Sequence, residues 1–331
     1  MAEIVRLLSS YNTAVVLLAA TLLGAAGAVA GTFALLHKRS LVSDAIGHAA
    51  LPGIAGGFLV ALAFGFDGRN LAILLSGAAL SGALATVMIS WIASQTRLSE
   101  DTAIATALAV FFGLGAVLLS VVQSLQVSGQ AGLDSFLLGT TAAISAREAG
   151  TIAVMALLVA LVGLGLFKEF RLLTFDAAFA GAMGYPVRAL DLGLMALLLL
   201  VVALGLKTVG LILIVAIVIL PPAAARFWTD RLGAMTALAA LFGAGAGAVG
   251  AGASAVLDDL PTGGAIVMTA GALLLISLVA APRRGLVAQG VVAARFRLAR
   301  RREARARSGQ GLGQGLGQGS GQGTGEGRAR P

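Results

Sequence analysis

The 331-residue chain contains no cysteine, only two histidines and seven prolines, 5% aromatic residues and 11% charged residues. Without cysteine there can be no disulfide, no thiolate nucleophile and no sulfur cage for a soft metal. The charge content is less than half of the roughly 25% usual in soluble domains, which excludes an ordinary globular composition. A phosphate-binding GxxxxGK[ST] loop is also missing. The segment GLKT at 205–208 lacks the Gly–Lys step and the upstream glycine, so the chain does not bind ATP by that route. What remains is 58% apolar, with 45 glycines, abundant alanine and a mean hydropathy of +0.97. This describes a polytopic membrane protein whose small residues let helices pack closely.

Long apolar runs at 14–36, 45–66, 71–93, 102–122, 149–167, 189–206, 209–225, 232–256 and 264–281 predict an all-α protein with eight to nine transmembrane helices. Lys38, Arg39, Arg97, Lys168, Arg171, Arg188, Arg226, Arg231, Arg283 and Arg284 fall on one side of these runs. Arg6, Arg69, Arg147 and Lys207 fall on the other. The bias places the N-terminus outside and the C-terminus in the cytoplasm. The first run reads as a span and not as a cleaved leader, because the segment before it, MAEIVR, has no net charge and Lys38–Arg39 follow it.

Residues 1–281 form the expected membrane domain. Its longest outer connection, about 123–148, is expected to hold a short re-entrant or interfacial helix. Residues 282–307 are rich in Arg and Ala and suit a basic juxtamembrane segment on anionic lipid, and 308–331 form a Gly/Gln-rich tail with nothing to bury. The net charge of +8 is concentrated there, so it reads as a topology determinant and not as a nucleic-acid surface.

Within the second run, SLVSDAIGHAALPGI, Asp44 and His48 stand at i and i+4 and share a helix face. His48 lies about ten residues beyond Lys38, or roughly 15 Å, near the bilayer midplane. Ionisable groups at that depth mark an ion or substrate path. The competing reading makes Asp44 a helix cap and His48 a buried structural hydrogen-bonder. Pro52 frees the His48 carbonyl, and Gly47, Gly53, Gly56 and Gly57 leave room for a close neighbour or a water-filled path. One chain offers too few ligands to hold a metal tightly. Two copies meeting on this face would offer two Asp and two His, a set suited to manganese, iron or zinc.

Other polar residues read as less specialised. His37 suits a solvated headgroup position, and Glu100–Asp101 suit a helix N-terminus. Pro221 and Pro222 free carbonyls at Ile217 and Val218, which makes them, with Pro52, gating candidates. The segment at 168–191 reads as a short amphipathic helix ending at Gly–Tyr–Pro. Its Phe175, Phe179 and Tyr185 would expose aromatics to the cytosol, which calls for a partner surface.

Taken in order, RSLVSDAIGHAALPGI, EDTAIATALAVFFGLGAVLLS (100–120), QAGLDSFLLG (130–139), TFDAAFAGAMGYP (174–186), VGLILIVAIVILPPAAAR (209–226) and LPTGGAIV (260–267) resemble the permease subunits of ABC importers for zinc, manganese and iron. The resemblance implies a type II ABC importer permease with the vitamin-B12-importer fold, in a bacterial inner membrane. It further implies pairing with a second copy or a paralogous permease, a cytoplasmic ATPase and an extracytoplasmic metal-binding protein. Asp44 and His48 match the family's metal pair in the translocation path. Phe175, Asp176, Phe179, Ala180 and Gly184 fall in its coupling helix. Pro222 and Ala224 depart from the family's Ala and Thr.

The expected function is that of a transport subunit for a divalent transition metal, with no enzyme activity and no permanently bound cofactor. A proton-coupled secondary transporter using Asp44 and His48 as a relay, an intramembrane metalloenzyme and an importer of a metal chelate are the alternatives.

Overall fold

The computed structural model describes residues 11–37, 39–66, 70–125, 144–257, 260–282, 285 and 287. All regular structure among them is helical: α1 (Tyr11–Leu36), α2 (Ser40–Ala63), α3 (Leu71–Gln95), α4 (Glu100–Ser124), α5 (Ala146–Gly165), α6 (Phe167–Phe175), α7 (Ala177–Ala182), α8 (Val187–Val209), α9 (Leu211–Arg226), α10 (Leu232–Val256) and α11 (Thr262–Ala280). Seven of these are long and apolar enough to cross a membrane: α1 to α5, α10 and α11. In α9 the apolar stretch Leu213–Arg226 is shorter.

Local chemistry sets the boundaries. The side chains of Asn70, Ser99 and Ser145 accept hydrogen bonds from the first turns of α3, α4 and α5, and Ser145 with Glu148 completes a capping box. Gly210, at φ 82°, separates α8 from α9 in a backbone conformation that a β-carbon would strain. The two runs read at 189–206 and 209–225 are therefore two helices joined by a one-residue hinge.

The helices pack in two groups. α1 is the axis of the first, contacting α10 most extensively and also α5 and α9, with α11 closing against α9 and α10. The second is the α2–α3–α4 trio, and α8 touches both groups. Glycine permits the tightest approaches. A β-carbon on Gly24 of α1 would lie 2.1 Å from the carbonyl oxygen of Gly243 in α10, and one on Gly53 of α2 would lie 2.1 Å from that of Gly77 in α3. Without a hydrophobic drive between helices in lipid, such backbone proximity supplies much of the packing attraction.

Three expectations change. α2 starts at Ser40, earlier than the run at 45–66 indicated, and Arg39 occupies the position before it. Asp44 is thus inside the helix and caps nothing. The segment at 168–191 is not one amphipathic helix but two short ones, α6 and α7, parted at Asp176. That residue accepts from the Phe179 N–H at 2.8 Å and so starts α7. His37 is not solvated: its Nε2 lies 3.3 Å from Asp191 Oδ1 in α8. Most of the outer connection read at 123–148, and nearly all of the basic segment and Gly/Gln tail, lie outside the described residues.

Candidate functional site

Asp44 and His48 lie on the less covered side of α2. Leu41 and Val60 on the same stripe are exposed, and Gly56 is half-buried. The side chains of His48 and Asp44 are 25% and 34% exposed, in contrast to the buried Ala45, Ile46, Ala49 and Ala50 around them. Helical periodicity explains the division: the alanines turn into the core, and the ionisable pair lies on the less covered stripe, where His48 still meets α4.

His48 Nε2 is 3.5 Å from Asp44 Oδ1. This is long for a hydrogen bond. It matches the separation of two ligand atoms on one tetrahedral ion, which is ~3.4 Å for metal–ligand bonds of about 2.1 Å. The other ring nitrogen, Nδ1, is buried without a hydrogen-bond partner among the described residues. Phe112 of α4 meets the imidazole edge to face, with centroids 5.1 Å apart and planes at 90°. The contact restricts the ring's rotation. Neither Phe112 nor its function was apparent in the sequence, where it is one apolar residue among many in α4. Its only signal is a place one turn before Gly115, the glycine that admits Leu51 and Pro52.

Among the described residues no cluster of three or more His, Asp or Glu could hold a metal ion. Asp44 and His48 are therefore two donor side chains brought together without a third acidic or imidazole group beside them among the described residues.

The two roles read for the glycines overlap, because Gly53, Gly56 and Gly57 all line a cavity between α2, α3 and α4. Gly47 seats α2 against Leu211 of α9, Gly53 against Gly77, and Gly57 against the Ile73 carbonyl, whereas Gly56 has nothing within 4 Å. An open cavity of about 640 Å³ begins at Pro52, one turn beyond His48, and runs past Gly56 to Val60 between α2, α3 and α4. Asp44 and His48 are not among its lining residues.

The gating candidates pack inside the bundle. Pro52 is buried, and a β-carbon on Gly115 would lie 3.0 Å from its Cδ. Pro221 and Pro222 are buried inside a continuous α9. The Val218 carbonyl, deprived of its donor by Pro222, lodges against Gly31 of α1, where a β-carbon would lie 1.9 Å away.

At the other end, α6 and α7 form an elbow. Phe170 of α6 packs on Phe33 of α1, with ring centroids 5.3 Å apart, and anchors it. Ala180 is buried, while Phe175, Phe179, Met183 and Tyr185 are exposed. Gly184, at φ 84°, turns the chain into α8.

A sequence profile described as the ABC 3 transport family matches residues 9–281. The manganese transport system membrane protein MntC of Bacillus subtilis is 42% identical over 88% of this chain and 66% of its own length. The zinc transport system membrane protein TroC of Treponema pallidum is 37% identical over 87% of this chain and 95% of its own. The fold superposes with a TM-score of 0.72 on a chain of PsaBC from Streptococcus pneumoniae, solved in complex with a Fab. That chain is 31% identical, and the match covers 86% of this chain and 97% of the other.

Proposed function

The chain belongs to the ABC 3 transport family, and we propose that it is the membrane permease of an ATP-driven importer of divalent transition-metal ions. Manganese and zinc are the cargoes named for similar proteins, and iron fits the same donors. The reading is carried by the Asp44–His48 pair: one carboxylate and one imidazole, 3.5 Å apart, on one turn of an apolar helix. The chain is a transport subunit, and ATP is hydrolysed on a separate protein.

In this account residues 1–281 are the membrane domain of a bacterial inner-membrane protein, with eight or nine spans, the N-terminus outside and the C-terminus in the cytoplasm. An extracytoplasmic binding protein delivers the ion above α2. A second copy, or a paralogous permease, covers the stripe of Leu41, Asp44, His48 and Val60 and the exposed face of α4, and doubles the ligand set. Binding there is weak, because a site that holds tightly does not release. The elbow docks on the ATPase through Phe175 and Phe179. Asp176 and Ala180 shape and seat α7, and Gly184 redirects the chain. Pro52, Pro221 and Pro222 keep short lengths of helix free of regular hydrogen bonds where α2 and α9 must shift.

The test is reconstitution of the permease in liposomes with its ATPase and binding protein, followed by manganese and zinc uptake. Uptake is expected only with ATP and both partners. Uptake by the permease alone under a proton gradient would overturn the proposal in favour of a secondary transporter.

A further inference from the structure

We propose that Arg39 is a positioning residue that ties the cytoplasmic elbow to the metal-bearing helix through its ion pair with Asp191. The inference rests on the reading of the elbow as the ATPase-facing element and of Asp44 and His48 as the metal ligands.

Arg39 immediately precedes α2 and stands five residues before Asp44. Its Nη1 is 2.6 Å from Asp191 Oδ1, and its Nε pairs with Glu100 Oε1 at the start of α4. His37 Nε2 contacts the same Asp191 oxygen from the end of α1. Four helices therefore meet at one charged knot. The side chains of Arg39 and Asp191 are only 12% and 17% exposed, so salt screens the pair little. Arg39 pairs with the two carboxylates through different nitrogens of one planar group, a spread that the single nitrogen of lysine does not reproduce.

The placement matters more than the strength. Asp191 lies one turn into α8, and α8 begins directly after Gly184, Tyr185 and Pro186, the exit of the elbow. A shift of α7 against its partner moves the start of α8. The Arg39–Asp191 pair passes that shift to the start of α2, the rigid helix that carries both metal ligands. A cavity of about 350 Å³ with a mixed lining lies beside the pair, lined in part by Ser90, Ser94 and Arg188. It gives the two side chains room to part and to re-form, as an element with two arrangements requires. A static staple would serve equally well with the space filled.

The experiment uses the whole importer in liposomes and reads metal imported per ATP hydrolysed. Arg39→Gln and Asp191→Asn are expected to lower this ratio about tenfold, a factor within the usual range of coupling between sites and here assigned to loss of the ion pair. Glu100→Gln, which removes only the link between α2 and α4, is expected to leave it within twofold. A merely structural knot would lower the amount of assembled complex while the surviving complexes kept the wild-type ratio, and that result would overturn the proposal. Where either variant fails to assemble, Arg39→Lys keeps the charge and carries the same expectation of a lowered ratio. The underlying reading has its own arm, the double variant Asp44→Ala/His48→Ala. If that variant imports normally, or the wild type imports without ATP, the reading fails and this inference with it. If those controls behave and the ratio is unmoved in R39Q, D191N and R39K, this inference alone fails.

Discussion

Gly53→Ala and Gly56→Ala are the same substitution on the same helix, one turn apart, and the structure assigns them opposite outcomes. A β-carbon at Gly53 would lie 2.1 Å from the Gly77 carbonyl oxygen and 2.7 Å from Ser81 Cβ, whereas one at Gly56 meets nothing within 4 Å. Ordinary contact requires α2 and α3 to separate by roughly 1 Å, because a close-packed interior has no slack to absorb the clash. Overpacking of this kind costs about 1–3 kcal/mol. Both variants gain about 1 kcal/mol of helix propensity from replacing glycine, so the difference between them isolates the packing term. At about 2–4 °C per kcal/mol for a large domain, G53A is expected to unfold some 2–12 °C below G56A. Thermal unfolding of the purified permease, followed by Trp91 and Trp228 fluorescence, measures this difference. Equal midpoints for the two variants would refute the close α2–α3 approach and with it the seating of the metal-bearing helix.

Two further outcomes follow from the site and the elbow. Phe112→Ala removes the edge-to-face contact that restrains His48, worth about 0.5–1.5 kcal/mol. It is expected to raise the metal concentration for half-maximal uptake about two- to tenfold, with unchanged assembly, and an unchanged concentration dependence would show that the ring does not position the imidazole. Phe179→Ala removes an exposed aromatic anchor from α7, for which a loss of about 2 kcal/mol, or roughly 30-fold in ATPase-subunit affinity, is expected. Co-purification at wild-type levels would place the docking surface elsewhere.

The helices were legible because apolar length is a local property: the run at 232–256 coincides with α10, and most others differ from their helices by a few residues. The pair of Asp44 and His48 was legible for the same reason, since i and i+4 on a helix determine proximity without a tertiary fold. Features that join distant parts of the chain were not. His37 beside Lys38 and Arg39 has the local signature of a solvated headgroup residue, and only the fold brings Asp191 to it. Glu100 reads as a helix-dipole acid, yet Ser99 performs the capping and Glu100 pairs with Arg39. The glycines of α2 announce close approach, but which of them meets a neighbouring helix depends on α3 and α9. At 168–191 the amphipathic pattern was visible, while the break at Asp176 was not, because a capping aspartate and a mid-helix aspartate look alike in sequence.

The central claim is that Asp44 and His48 together carry the passing ion. Its most direct test is ATP-driven manganese and zinc uptake by the reconstituted importer bearing Asp44→Ala and His48→Ala, with the amount of co-purifying ATPase measured in the same preparation. The account predicts uptake at the background of empty liposomes and an undiminished yield of assembled complex. Wild-type uptake by the double variant would contradict it.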